Sequence, residues 1–391
     1  IGVRLVGSEM CIRDSYYGGG QDPNAYGNTT DLNWMAGSQY VYSFGKCIFM
    51  PSDFTAGVEF NQDKLEDNMW GYHRTVDQKV NIGSAFFQNE WKNEHWGFLI
   101  GGRLDKHNLI DHVIFSPRAN LRYNPTENIN LRFSYSSGFR APQAFDEDLH
   151  VKNVGGNVAM VELADNLKEE RSQSLSASAD IYHRFGAFQV NFLVEGFYTK
   201  LSDVFALTDG EVVDGILTRT RYNAPGARVM GLTLEGKMAY LTKFQVQAGV
   251  TLQQSHYSEP HVWNKEAPAV KKMMRTPNTY GYFTATYTPI KPLSIALSGT
   301  YTGSMLVPHE PVPGFLEKPI TVNTKDFFDI GLKAAYDFKL YKSMNLQVNA
   351  GVQNIFNAYQ NDFDKGADRD SGYIYGPSLP RSFFAGVKIS Y

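Results

Sequence analysis

From about Asp31 to the last residue, apolar and polar positions alternate with a period of two, the mark of strands whose two faces meet different surroundings. In Asn345 to Gln353, Leu346, Val348, Ala350 and Val352 share one face, while Asn345, Gln347, Asn349, Gly351 and Gln353 share the other. Phe244 to Gln253 repeats the pattern, and so do Ile129 to Tyr135 and Ser174 to Ile181, where Leu175, Ala177, Ala179 and Ile181 oppose Ser174, Ser176, Ser178 and Asp180. About fifteen such strands begin near positions 31, 52, 78, 95, 113, 128, 172, 187, 228, 244, 279, 293, 327, 345 and 382. No long amphipathic helix interrupts them, so the chain reads as all-β.

The connections fall into two classes that alternate strictly. Short ones lie near Lys46 to Pro51, Lys92 to Glu94, Asn124 to Asn128, Phe185 to Ala187, Leu241 to Lys243, Pro289 to Pro292 and Lys339 to Met344. Long ones lie near Asn61 to Asp77, Lys106 to His112, Phe139 to Arg171, Ser202 to Arg228, Tyr257 to Asn278, Ser304 to Asp326 and Ile355 to Arg381. An antiparallel up-and-down meander places all short turns on one rim and all long loops on the other, which is the asymmetry of a transmembrane β-barrel. A soluble sandwich or propeller also alternates. A propeller would show a blade repeat of about 40 residues, and no internal repeat or Pro/Ser-rich linker is present. Aromatics gather at Tyr40 and Tyr42, Phe86 and Phe87, Tyr282 and Phe283, and Phe383 and Phe384, as interfacial girdles would require.

Composition narrows this further. Of 391 residues, 42% are hydrophobic and 14% aromatic, yet no uninterrupted apolar run approaches the ~18 residues of a membrane-spanning helix. Any membrane crossing must therefore be made by strands. The net charge of −3 gives no support to a nucleic-acid partner. Two cysteines, Cys11 and Cys47, are too few for a disulfide framework or a cysteine-based zinc site. Residues Ile1 to Ser15 lack the period of the remaining chain, and Ser8 to Ser15 (SEMCIRDS) resembles translated adapter read-through; residues 1–15 are expected to be a non-native leader and 16–391 the structural unit.

Several segments carry a resemblance. In Phe133 to Asp148, a tyrosine strand runs into Gly138, Phe139, Arg140, Ala141 and Pro142 and then an acidic stretch. Tyr222, Asn223 and Gly231 to Glu235 come next within RYNAPGARVMGLTLEG, Asn354 and Asn357 stand in AGVQNIFNAY, and Pro380 and Arg381 precede a final strand that ends on Tyr391 itself. Taken in order, these resemble the strand-end and closing-strand motifs of the TonB-dependent receptors of bacterial outer membranes, over most of the chain. The motif residues read as structural: Gly138 as a backbone special, Pro142 as a stop to ladder pairing, Asn354 and Asn357 as turn residues.

The resemblance implies a plug domain followed by a barrel of about 22 strands with an occluded lumen. The chain is then expected to be the carboxy-terminal barrel portion, with the plug and about seven strands upstream, and not to close into a barrel alone. The implied function is energised uptake of a scarce bulky ligand such as a ferric siderophore, haem or cobalamin, an iron chelate or cobalamin being favoured. The implied partners are the TonB complex, acting through the plug region, and outer-membrane lipid. A passive porin-like channel and a surface-binding barrel remain the alternatives.

Candidate chemistry is sparse. There is no zincin, nucleophile-elbow, Walker or Rossmann pattern, so neither an enzyme nor a cofactor is expected. The loop residues Trp70, Tyr72, Tyr257, His261, Trp263 and Phe315 could form an aromatic and polar mouth for a ligand. In DFDKGADRD, Asp362, Asp364, Asp368 and Asp370 surround Gly366, oxygen ligands about a bend that could hold calcium, although a charged, hydrated loop is the preferred reading.

Overall fold

The computed structural model describes residues 2–17, 26–142, 159–208, 210–213, 216–340, 343–366, 369–370, 372–377 and 379–391. The strands in chain order are β1 (Gly2–Tyr17), β2 (Tyr26–Cys47), β3 (Met50–Met69), β4 (Arg74–Lys92), β5 (Trp96–His107), β6 (Ile114–Thr126), β7 (Ile129–Arg140) and β8 (Ala159–Leu163). They continue as β9 (Glu170–Phe185), β10 (Phe188–Ser202), β11 (Val204–Leu207), β12 (Glu211–Val213), β13 (Ile216–Ala224), β14 (Ala227–Tyr240), β15 (Phe244–His261) and β16 (Val270–Lys272). The rest are β17 (Thr279–Ile290), β18 (Leu293–Thr302), β19 (Leu306–His309), β20 (Ile320–Asn323), β21 (Phe327–Lys339), β22 (Asn345–Gln353) and β23 (Ser382–Ser390).

One sheet holds the long strands, each paired antiparallel with the next long strand from β1 through β23. Every strand start expected from the sequence has its counterpart among these. In addition, most of residues 1–15, set apart in the sequence, run as β1 in unbroken register with β2, from Gly2 opposite Val41 to Tyr17 opposite Tyr26. One expected long loop differs. Residues 61–77 extend β3 and β4 into a tall hairpin whose tip is only the 3-10 turn Trp70–Tyr72. Its cross-strand bonds include Thr75 Oγ1 to Asn68 Oδ1, and Thr29 Oγ1 donates to Asp67 Oδ1 on the β2 side. Above a membrane both faces of a hairpin are wet, so its ladder continues after the alternation fades. At about 3.4 Å per residue, β3 is roughly 65 Å long, far beyond the 9–11 residues a crossing needs.

The two faces of the sheet differ in kind. Following the register, Leu121, Phe133, Ala177, Gly196, Leu232 and Leu252 form one continuous outward row. Phe133, Leu175, Ile181, Phe192, Leu252, Val348, Val387 and Ile389 are all exposed, a protein-free apolar surface inverted relative to a soluble core. The opposite face is polar and bonded to itself. Arg103 donates to Glu59 (2.7 Å), Asp105 (2.8 Å) and Ser84 (2.7 Å), and Glu235 gathers Lys237, Gln247 and Tyr282.

The period of two also corrects the aromatic girdle expected from adjacent pairs. Phe87 faces out, but Phe86 lies inside beneath Arg103, and Tyr282 bonds Glu235 inside while Phe283 faces out over Gly299. The girdle gathers at the short-turn rim, where Tyr40 and Tyr42 face out beside Phe44, Trp96 stacks on Tyr123 (4.2 Å), Phe49 on Trp91 (5.6 Å), and Phe188 meets Tyr240 (4.6 Å).

Candidate functional site

The long loops are knitted together rather than loose. β13 pairs with β11 and β12 from its own connection and, in parallel, with β8 from the connection before β9. Asn223 fastens this sheet: its side chain donates to Asp203 O (2.8 Å) and Lys168 O (3.1 Å) and accepts from Lys168 N (2.8 Å). Glu169 ties two further loops by accepting from His112 Nε2 (3.0 Å) and Arg171 Nε (2.8 Å). Burial alone would raise the Glu169 carboxyl, but its own backbone N–H, Arg171 and His112 outweigh that and hold it below the usual carboxylate range.

Against this sheet lies a cavity of about 540 Å³, lined among others by Arg140, Phe205, Arg219, Arg221, Tyr257, His261 and Trp263. The volume falls in the range of small-molecule sites. Phe205 is flanked by two guanidinium groups, with Arg140 Cζ 5.5 Å and Arg221 Cζ 5.8 Å from the ring centroid. Arg219 lies 3.9 Å from Glu310, which Asn264 also bonds at 2.9 Å. Tyr257 and His261, four residues apart on β15, bring their rings within 4.8 Å. Trp263 Nε1 is buried without a hydrogen-bond partner among the described residues. The lining thus sets Arg140, Arg219 and the buried Arg221 beside the two carboxylates Glu259 and Glu310, with aromatic walls.

Of the six loop residues singled out in the sequence, Tyr257, His261 and Trp263 meet in this cavity. Trp70 sits exposed at the tip of the β3–β4 hairpin, Phe315 is exposed and not in the cavity lining, and the side chain of Tyr72 lies outside the described residues. Arg140 of the strand-end motif reaches the cavity as well. Sequence reading missed Arg219, Arg221 and Phe205. The one signal was the spacing in Arg219-Thr220-Arg221, which puts both guanidinium groups on one face of a strand.

The other motif residues occupy structural positions. Gly138 is an ordinary extended residue paired with Ser172, not a left-handed one, and the nearest obstacle to a Cβ there is Ser172 Oγ at 3.2 Å. Phe139 pairs with Arg171, Ala141 and Pro142 follow the strand end, and Pro142 is buried. Asn354 does take the left-handed region (φ 49°), bonding Ala358 O (2.9 Å) and Leu379 O (3.0 Å). Asn357 (φ 55°) accepts from Arg381 N (2.9 Å); Pro380 is exposed beside it, and Tyr391 ends the chain fully exposed.

The aspartates of 362–370 have different partners, and Asp364 Oδ2 also accepts from Asp370 N (3.2 Å). Asp362 accepts from Tyr375 (2.7 Å) and Tyr373 (3.1 Å), Asp364 pairs with buried His309 (2.9 Å), and Asp370 accepts from Glu310 N (2.9 Å) and Gly372 N (2.8 Å). Gly366 makes the expected bend with φ 93°, and Asp368 lies outside the described residues. Among the described residues, no three His, Cys, Asp or Glu side chains converge to hold a metal ion. His309 stacks on Tyr373 at 3.8 Å, and Met305, Val307 and Tyr373 form a small apolar core between two loops. Burial, reinforced by the Asp362 charge, pushes the Tyr373 hydroxyl up to about 12 and raises Tyr375 likewise. For Asp362, burial raises the carboxyl but the Tyr375 and Tyr373 hydroxyls win, leaving it below the usual range.

An apolar-out, polar-in meander with all its elaboration on one rim defines a transmembrane barrel with a ligand-sized mouth. The chain belongs to the TonB-dependent receptor family, whose barrel, described as "TonB dependent receptor-like, beta-barrel", matches residues 8–355. No curated protein matches the sequence. A variant of the ferric enterobactin receptor of Pseudomonas aeruginosa superposes with a TM-score of 0.71 at 17% identity, over 98% of this chain and 59% of that one. The siderophore receptor PirA of Acinetobacter baumannii gives 0.70 at 15% identity, with 98% and 59% covered. The ferric-catecholate import receptor Fiu of E. coli K12 gives 0.66 at 16%, with 93% and 55% covered. The chain therefore spans less than two thirds of the length of these receptors, and at such identities the likeness is one of fold. The family is one of outer-membrane receptors, not of enzymes.

Proposed function

We propose that this chain is the barrel portion of an outer-membrane receptor for energised uptake of a ferric siderophore, and of the catecholate kind in preference to haem or cobalamin. The observation that carries this reading is the rim cavity, whose lining combines Arg140, Arg219 and Arg221 with Phe205, Tyr257 and Trp263. A ferric tris-catecholate is anionic and aromatic-walled, so guanidinium groups compensate its charge while rings pack its faces. The names of the solved relatives support the same class of ligand. The reading requires outer-membrane lipid and the TonB complex as partners.

The test is tryptophan-fluorescence titration of the full-length receptor with ferric enterobactin, haemin and cyanocobalamin. Ferric enterobactin is expected to bind tightest. Arg219→Gln, which removes a guanidinium while leaving strand β13 paired, should weaken it by about ten-fold or more. Tighter binding of haemin or cyanocobalamin, or an unaffected Arg219→Gln, would refute the assignment.

A further inference from the structure

On the inner wall, one set of cations lacks the partners that others have. Arg103 holds Glu59 and Asp105, Lys92 holds Asp53, and Lys237 holds Glu235. The register from Arg103 through Ser116 sends Arg118 and Arg122 of β6 into the lumen, and Arg122 stands directly opposite Arg132 of β7. Like charges so placed repel across a ladder. Arg118 and Arg132 are exposed, and neither has an ion pair among the described residues. Arg132 donates to Asn130 Oδ1 (2.9 Å), while Arg122 donates through Nη2 to Asn93 O (3.1 Å) and its buried Nε has no partner among the described residues. The carboxylates of the adjoining strands β9 and β10 are engaged or stand apart. Asp180 accepts from Tyr182 (2.8 Å) and Asn191, and Glu195 lies two strands from Arg132, beyond Ser178.

These guanidinium groups descend in equal steps from the rim cavity. Arg140, in the cavity lining, and Arg132 are both inward residues of β7, and Arg118 sits between their heights, opposite Ser136. Each step of four residues covers about 13 Å, so the column is roughly 27 Å long. At its top Glu170 faces Arg140 and accepts from Phe205 N (3.0 Å). Between the steps the wall is made of Asn120 on β6, Ser134 and Ser136 on β7, and Ser174, Ser176 and Ser178 on β9. Such side chains are short and uncharged, and their hydroxyl and amide groups can donate to an oxygen anion at any height.

A stationary anion needs one such place. Cations repeated at equal steps below a ligand cavity suit an anion that moves, because each step attracts what the one above releases. Exposed guanidinium groups hold a counter-charge weakly and exchange it readily, which passage requires. We propose that the inner wall of β6, β7 and β9 is the track along which the anionic ferric chelate leaves the rim cavity, passing Arg118 and then the Arg122–Arg132 pair. The proposal rests on the uptake reading and adds to it the route by which bound chelate moves inward. The competing partner for these arginines is a carboxylate of the receptor's plug, which would neutralise them permanently.

The test uses the full-length receptor carrying Cys11→Ser and Cys47→Ser, with Ser136→Cys as a thiol probe opposite Arg118. Its rates of reaction with anionic sulfonatoethyl methanethiosulfonate and with the cationic trimethylammonioethyl reagent are each divided by the rate of free cysteine. On that scale the anionic reagent should react about ten-fold faster. Arg118→Gln with Arg132→Gln should bring the ratio close to one, and Arg118→Lys with Arg132→Lys should keep it. A ratio of one before any arginine is changed would mean that plug carboxylates already neutralise the column. No reaction with either reagent would mean that the strip is closed to solutes, and either result overturns the proposal. In cells, the Gln pair should slow energised uptake of ferric enterobactin about ten-fold, while binding at the rim, measured on energy-depleted cells, keeps its affinity. Unchanged uptake, or uptake and binding lost in proportion, would also overturn it. Heat-modifiable migration reports folding of each variant; if the Gln pair misfolds, Arg118→Gln alone makes the same comparison. A receptor that keeps the anion preference but neither binds nor imports ferric enterobactin counts against the uptake reading alone.

Discussion

Ala179 and Ser178 are neighbours on β9 that the register sends to opposite sides of the wall, and an arginine at each is the sharpest test of the fold. Ala179 pairs with Leu131 and Val194 on the outward face, while Ser178 pairs with Arg132 and Glu195 on the inner one. Val194 stands midway along β10, six residues from Phe188 at the short-turn rim and six from Lys200 at the other. Six residues cover about 20 Å of strand, and a tilt of 35–45° reduces this to about 15 Å along the membrane normal. Ala179 therefore lies near the midplane of a band about 25 Å tall. Arginine there should cost about 2–4 kcal/mol, roughly a thirty- to seven-hundred-fold change in the folding equilibrium. Ser178→Arg places the same side chain in a polar lumen beside Glu195 and should cost less than about 1 kcal/mol. The assay is denaturant unfolding of the full-length receptor in lipid vesicles, followed by tryptophan fluorescence. Equal costs at the two positions, or a greater cost at Ser178, would refute the facing derived from the register.

Single sites give further expectations. Arg103→Met should destabilise the barrel by about 1–3 kcal/mol, because Asp105, 2% exposed, loses its cation; a double-mutant cycle with Glu59→Gln should show coupling between the two. Asp364→Asn removes the charge facing buried His309 and should loosen the contact between the loops that carry β19 and Tyr373, read as faster hydrogen exchange at residues 305–309 with the barrel strands unchanged. The Asp362 carboxyl is depressed in the folded loop, so its stabilisation is present above the ordinary value of 3.8 and is lost as pH falls through the lower folded value. Tyr373 is raised instead, so its contribution is complete below 10 and is lost as pH rises through about 12. Ultraviolet titration of tyrosinate should show a late-ionising class that Asp362→Asn shifts to lower pH.

The alternation of Leu175, Ala177, Ala179 and Ile181 against serines already determined the strand, its two faces and the nature of each solvent. A side chain's face is fixed by a local period that neighbours cannot alter without slipping the whole ladder. Turn and loop lengths determined the meander in the same way, because short connections force antiparallel neighbours. The β3–β4 hairpin escaped, since residues 61–77 meet water on both faces and leave no hydrophobic period to read. The cavity was only half legible: Tyr257, His261 and Trp263 lie close together in one connection, but Arg140, Phe205, Arg219 and Arg221 come from other segments. They meet only because β13 pairs with strands from two different loops, a contact set by tertiary packing. The register also makes neighbours of residues far apart along the chain. Lys200, Arg228, His256 and Lys272 are unremarked one by one along the chain, and the register of three ladders alone makes them neighbours.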